Sequence, residues 1–371
     1  MSAFWHPLSA VYLDEPRALA SPAVLRMLLA GEGRAVVRYA GDRMWPALQH
    51  GQAIEIVPLA GRRPDDGEVV LTMEEGVLDL LRVDGAGGGL ELVADADDAR
   101  RRVAEADLLG HAGVDRRRPR SSSWARLRLD LLEAWRGRPD DAPDPALTVR
   151  DKYDAQARHY ARGTQALDAA LAARLGAAVP RGGRILVAGS GVGREAFAIE
   201  ALGYDVVGVD FSPRMVEEAR AAAAARGSKA VFVAGDLREH EEAARSLAAV
   251  FFTYDVYSFI PSVEARGQAL ERLRRSLAQD GLLFLSARRR SRAMDRAVLT
   301  VQWLSGRLAG RRVAWGDSHT RWLDASGRLR RSFVHVFTPK ALDAELRSAG
   351  FTPVAWEVGH GLYRPAPDGP R

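Results

Sequence analysis

The chain has 371 residues, 47% of them hydrophobic, and no cysteine. That length accommodates two domains with cores of their own, and the missing thiols exclude disulfides, thiolate metal sites and cysteine nucleophiles. The net charge of +5 is carried almost wholly by arginine; no aromatic stacking motif accompanies the basic clusters at 100–102, 116–120 and 288–292, so nucleic acid is not an expected partner.

No run approaches the roughly eighteen apolar residues that cross a bilayer. The start "MSAFWHPLSAVYLDEP" lacks the basic and apolar parts of a signal peptide. A cytoplasmic location without membrane contact is expected. "SPAVLRMLLAGEG" reads as a helix, with Ser21 as its cap and Pro22 at its first position. Residues 33–115 read as short strands ("RAVVRYA", "QAIEIVPL", "EVVLTME", "VLDLLRV", "LELVAD") broken by Gly, Asp and Pro, which predicts a small, mostly-β domain. A junction follows: the loop "RRRPRSSS", the amphipathic helix "WARLRLDLLEAWRG" and the linker "RPDDAPDPALT". From about residue 150, helices and strands alternate, which predicts an α/β domain whose largely parallel sheet is covered on both faces. The expected division is 1–117, 118–148 and 149–371.

Within the last part, the strand "RILVAGS" runs into Gly189, Gly191 and Gly193, and a helix follows. Missing side chains let a backbone turn sharply and approach a ligand. The spacing is G-x-G-x-G, and Arg194 stands where a dinucleotide fingerprint has its third glycine. The next strand ends at Asp210, where a carboxylate can accept both hydroxyls of a ribose. The third ends at Asp236, which can receive an adenine amine or cap a helix. The fourth ends at Tyr254 and Asp255. Tyr257, close behind, lines a pocket or belongs to the core. No His/Asp/Glu cluster has metal-ligand spacing, so no metal is expected.

The run from Tyr153 to about residue 360 resembles the class I S-adenosylmethionine-dependent methyltransferases. The matching stretches are "ILVAGSGVGRE", "VVGVDFSPRMVEEAR", "VAGDLRE", "QALERLRRSLAQDGLLFLS" and "FTPKALDAELRSAGF". The resemblance implies a Rossmann-like, seven-stranded fold with S-adenosyl-L-methionine as cofactor. It places Gly189, Ser190, Gly191 and Gly193 against the cofactor, the ribose on Asp210 with Phe211 beside it, and the adenine on Asp236 and the backbone of Leu237. Tyr254 and Tyr160 complete the set. Tyr153 and Tyr160 match an aromatic lead-in that folds over the cofactor, or they pack the first helix. Val187 stands where the family has an acid, two places before the first glycine. That leaves the anchor for the cofactor's amino group open between a backbone carbonyl and Glu195.

Methyl transfer is an in-line displacement that needs positioning and exclusion of water, and a base only where the acceptor holds its proton. Candidate bases are His319, Tyr254 and Tyr257, with His335 and Asp255 behind them. No [ND]-P-P-[YF] motif follows the fourth strand, so methylation of a nucleobase amine gains no support. An insertion at about 291–338, a helix and a hairpin, brings Trp303, Trp315, His319, Trp322 and His335 as candidate acceptor contacts.

Roughly residues 33–117 resemble the serine peptidases of the LexA repressor and bacterial signal peptidase type. "GDRMWPAL" matches the nucleophile turn G-x-S-M-x-P; "QHGQAIEIVPL", "PDDGEVVLTM", "LDLLRVDG" and "ADLLGHAGVDRR" follow in the family's order. Arg43 occupies the serine's position and Leu81, beside Arg82, that of the lysine. A Ser/Lys dyad needs a hydroxyl and an uncharged amine, and arginine stays protonated. The resemblance therefore implies a pseudo-peptidase. Such a domain grips an extended peptide or protein partner in the old cleft, or serves as an appendage for dimerisation. The expected function is methyl transfer to a peptide or small-molecule biosynthetic substrate, with the first domain recognising substrate or partner. The alternative is a binding protein or adaptor in which both domains hold ligands without chemistry.

Overall fold

The computed structural model describes residues 9–13, 22–41, 48, 52–74, 77–85, 90–93, 100–114, 145–161, 167–252, 254–289, 293–308, 310–323, 329–357 and 360–366. The chain divides into two compact units: Met1–Pro139 with Thr320–Arg331, and Asp140–His319 with Ser332–Arg371.

The first unit is built on β1 (Ser9–Leu13), α1 (Pro22–Glu32), β2 (Ala35–Gly41), β3 (Ala53–Val57), β4 (Val69–Glu74), β5 (Val77–Val83), β6 (Glu91–Val93), β7 (Arg100–Arg102) and β8 (Leu108–Ala112). The strands form one sheet in the order β1-β2-β3-β8-β4-β5-β6-β7, antiparallel at each described pairing. Alternation makes the core: in β3, Ile54 and Ile56 are buried while Ala53, Glu55 and Val57 face out. Leu25 and Leu29, one helical turn apart on α1, join Val37, Tyr39, Leu71, Leu80 and Leu92. A mostly-β domain is thus present. β1, β7 and β8 are additions to the strands expected from the sequence; β1 and β7 lie at the edges of the sheet and β8 between β3 and β4. Leu81 is 1% exposed in this core. Arg82 beside it is also buried, its guanidinium donating to the Gly67 carbonyl at 2.7 Å. Arg43, Met44 and Pro46, and the helix expected at 124–137, lie outside the described residues.

The second unit begins with α2 (Pro145–Ala161), so this helix starts inside the segment expected to be linker. Then come α3 (Ala169–Ala178), β9 (Arg184–Ala188), α4 (Arg194–Ala201), β10 (Asp205–Asp210), α5 (Pro213–Arg226), β11 (Val231–Ala234), β12 (Leu247–Phe252), α6 (Val263–Ser276) and β13 (Leu277–Leu285). After α7 (Ala293–Leu308), β14 (Asp317–Leu323) and β15 (Leu329–His335) pair as a two-stranded sheet, whose residues 320–331 are grouped with the first unit. The chain continues through α8 (Pro339–Ser348), β16 (Phe351–Glu357) and β17 (His360–Pro365). The main sheet has seven strands in the order β11-β10-β9-β12-β13-β17-β16, with only β17 antiparallel to its neighbours.

Period-two alternation sorts each buried strand between two cores. Ile185 and Val187 of β9 pack with Leu175 of α3, Phe197 of α4 and Val216 of α5. Leu186 and Ala188 pack the other way, with Leu270 of α6 and Leu342 of α8. The result is the three-layer, Rossmann-like architecture. Helix starts follow capping chemistry. Ser212 accepts the Met215 N–H at 3.1 Å ahead of Pro213, and Thr338 does the same for Ala341 ahead of Pro339.

Candidate active site

The order of strands reverses at β9, which has β10 on one side and β12 on the other. Ligands of open α/β sheets bind beyond the carboxyl ends of strands at such a point, and the glycine loop leaves β9 there. Gly189, Gly191 and Gly193 have φ of 68°, 53° and 87°, a region where a side chain is strained. The three differ in what surrounds them. A Cβ on Gly189 would collide with Val256, and one on Gly193 with Phe232 and Phe197, so these two are glycine for packing. A Cβ on Gly191 would meet nothing within 4 Å; this is the part of the loop that faces open space.

Asp210, the last residue of β10, locks the loop. It accepts the Gly191 N–H at 2.7 Å on one oxygen and the Ser212 N–H at 2.8 Å on the other. Burial pushes its carboxyl up to about 6, against the pull of these two donors, and Asp154 adds to the rise. Each oxygen keeps a lone pair, so the group can still take two hydroxyls. Asp236, past the end of β11, caps the turn that follows. It accepts the Arg238 N–H at 2.8 Å and the Arg238 Nε at 2.8 Å. Burial works to raise its carboxyl, but the Arg238 contacts outweigh it and hold the group below the usual range. Leu237 is buried in the core.

α2 covers the loop. Tyr153 and Tyr160 pack on Val192 of the loop and Met215 of α5, their rings 5.9 Å apart. The Arg194 guanidinium lies 5.6 Å from the Tyr160 ring centre, and that of Arg150 lies 5.7 Å from Phe211. Asp154 of α2 takes the Ser212 hydroxyl at 2.5 Å and the Arg214 N–H at 3.3 Å, tying α2 to the start of α5. The sequence reading missed Asp154. An acid in the middle of a charged helix carries no signal of its own.

Beyond β12, Tyr254 and Asp255 both have left-handed backbones, with φ of 51° and 62°. Strain of this kind persists only where surroundings enforce it. Ser286 accepts the Asp255 N–H at 2.8 Å and Arg288 binds the Asp255 carboxylate at 3.2 Å. The Tyr254 hydroxyl is pushed well above the tyrosine range by burial and by the Glu195 carboxylate to which it donates. It keeps its proton and does not fit the role of base. Tyr257 does not fit it either: it is fully buried and its hydroxyl donates to Glu345 at 2.5 Å. Arg266 grips the same carboxylate at 2.6 and 2.9 Å, and Phe337 stacks on the Tyr257 ring. Tyr257 is core.

The insertion residues spread out. Trp303 lies on α7, and Trp315 donates to Thr300 of that helix at 3.1 Å. His319 is half-buried on β14. His335 is buried, with Nδ1 2.8 Å from the Asp317 carboxylate. Trp322 falls in the segment grouped with the first unit.

The lining suits S-adenosylmethionine. Gly191 leaves room for a ligand, Asp210 offers two acceptors, and Ser190 Oγ, Gln156 Oε1 and Glu195 Oε1 are buried polar atoms without hydrogen-bond partners. Buried groups of this kind ordinarily find partners. Among the described residues no three His, Cys, Asp or Glu are placed to hold a metal ion, and no helix is long and apolar enough to cross a membrane.

Residues 185–281 match the family model described as a methyltransferase domain. Among solved structures the chain is similar to the CcbJ methyltransferase from Streptomyces caelestis, at 20% identity over 60% of this chain and 99% of that one (TM-score 0.41). It is also similar to SAM-bound CalS10, an amino pentose methyltransferase from Micromonospora echinaspora, at 21% identity over 56% and 94% (TM-score 0.39). A third is a 1,6-didemethyltoxoflavin-N1-methyltransferase from Burkholderia thailandensis, at 24% identity over 62% and 94% (TM-score 0.37). No curated protein matches the chain.

Proposed function

We propose that this chain, whose residues 185–281 match the model of a methyltransferase domain, uses S-adenosylmethionine to methylate a peptide or small-molecule acceptor, and that its first unit recognises that acceptor or a partner protein. The observation that carries the catalytic part is the pairing of Gly191 with Asp210. An open stretch of backbone is locked to a carboxylate that still has acceptors to spare.

Bound in the crevice, S-adenosylmethionine supplies a methyl group on a sulfonium, with a neutral thioether as leaving group. The protein's part is to bind, orient and keep water out. Asp210 accepts the ribose hydroxyls. Asp236 has lone pairs left beyond its Arg238 contacts, and with the backbone of Leu237 it takes the adenine. Tyr153 and Tyr160 shield the site from above. Where the acceptor needs a base, His319 and His335 are the groups to consider; Asp317 on Nδ1 of His335 favours the tautomer whose Nε2 accepts a proton.

Two features support the pseudo-peptidase reading of the first unit: the order of its segments, and a buried hydrocarbon, Leu81, where the dyad needs an amine. A sheet edge suits addition of an extended peptide, and β1 is the edge of this sheet that is not built of arginines. The test is to incubate the full chain and radiolabelled S-adenosylmethionine with fractionated peptides and small metabolites. Label is expected in one of those fractions and absent with Asp210→Ala. A chain that binds the cofactor yet labels no fraction would instead be a ligand-binding protein without chemistry.

A further inference from the structure

We infer that Glu195, oriented by Tyr254, forms the subsite for the ammonium group at the amino-acid end of the cofactor. The inference rests on the S-adenosylmethionine reading of the crevice and adds the residue that reads the cofactor's far end.

Glu195 is the second residue of α4, two places after Gly193, so the glycine loop delivers it to the edge of the crevice. Its side chain is 4% exposed. It takes a hydrogen bond from the Tyr254 hydroxyl, while Oε1 has no partner. A carboxylate in so dry a place is costly unless a cation or further donors complete it. Burial accordingly pushes the carboxyl up, with Tyr254 and Arg194 pulling the other way.

Topology places this unfilled acceptor at the right end of the site. Asp210 ends β10 on one side of β9, and Tyr254 follows β12 on the other. Adjacent strands lie about 4.8 Å apart, so the two positions are separated by roughly 10 Å across the glycine loop. A ligand whose ribose sits on Asp210, and which lies along the open face of Gly191, directs its other end toward Glu195. That end of S-adenosylmethionine carries a cation. Position 187, which holds an acid in the resembling family, cannot serve here. Val187 is fully buried among Ile185, Ala249 and Phe251, on the sheet face packed by helices.

The test is calorimetric and needs no turnover. The full-length chain is titrated with S-adenosylhomocysteine and with 5′-methylthioadenosine, which shares the adenosine and sulfur but lacks the amino acid. Glu195→Gln keeps the shape and removes the charge. S-adenosylhomocysteine affinity is expected to fall tenfold or more with methylthioadenosine unchanged. Equal loss of both ligands, or loss of neither, overturns the subsite. Should the variant not fold, the wild-type chain decides with two analogues of S-adenosylhomocysteine. The one without its carboxylate retains most of the affinity and the one without its amine loses it; the reverse order overturns the assignment. Failure of the wild type to bind any of these ligands would instead reject the cofactor reading.

Discussion

Asp210 holds the Gly191 and Ser212 N–H groups while burial lifts its carboxyl to about 6. Only the ionised form keeps all its lone pairs for ribose hydroxyls. S-adenosylhomocysteine affinity should therefore be flat above pH 7 and fall below about 6, by up to roughly tenfold per unit, in titrations at a series of pH values. Lys152 shows the opposite displacement. It is 1% exposed, and burial, with Arg288 adding repulsion, pushes its ammonium down to about 7 from an ordinary 10.5. Between those values the unfolded chain binds a proton that the folded chain does not, so stability rises with pH across that window, is lost progressively as pH falls from 10.5 toward 7, and is level below it. Urea unfolding at pH 7, 8 and 9 should show a rise of about 1 kcal/mol per unit, flattened by Lys152→Met. The acids at strand ends are legible in the sequence because a carboxylate directly after a buried apolar run marks the place where the chain leaves the core. Which atoms they touch is not. The sequence leaves Tyr257 between pocket and core because its partner Glu345 lies 88 positions away.

The glycine loop looks uniform as a string of letters, yet its positions answer to different forces. Gly189→Ala forces a side chain at φ 68° into Val256 and should cost about 2–4 kcal/mol of stability in denaturant unfolding. Gly191→Ala adds only the backbone strain, about 1 kcal/mol. It should leave the fold intact while cutting S-adenosylhomocysteine affinity tenfold or more, because its Cβ enters ligand space. Buried strands and amphipathic helices are readable from their periods. β7 is not: its residues are Arg100, Arg101 and Arg102, which read as a surface cluster, and only pairing with β6 makes them a strand. Charged edge strands resist unwanted pairing, so the sequence signal is one of protection rather than of burial. The start of α2 is hidden for a related reason. Pro145 ends a Pro/Asp run, yet proline is well suited to the first turn of a helix.

Alternating helices and strands, with right-handed crossovers preferred, leave few ways to arrange seven strands, and the sheet has the seven strands that the resemblance implies. The first unit shares nothing with that sheet: its eight strands form their own, with its own hydrophobic cluster. Two separate cores should unfold as two calorimetric transitions. S-adenosylhomocysteine at a hundredfold excess over its Kd should stabilise the second unit alone, by about 2.7 kcal/mol; a shift of both transitions by the same amount would show a single cooperative body.

The first unit is not continuous in the chain: it groups Met1–Pro139 with Thr320–Arg331. Residues on a ribosome emerge in order, at about 5–20 per second. The first unit's early part is thus made well before its last piece, with residues 140–319 of the second unit synthesised in between, a delay on the order of ten seconds or more. The sheet and hydrophobic cluster of the first unit are drawn from residues 9–114, so that core can close before the second unit is made, and only Thr320–Arg331 joins it afterwards.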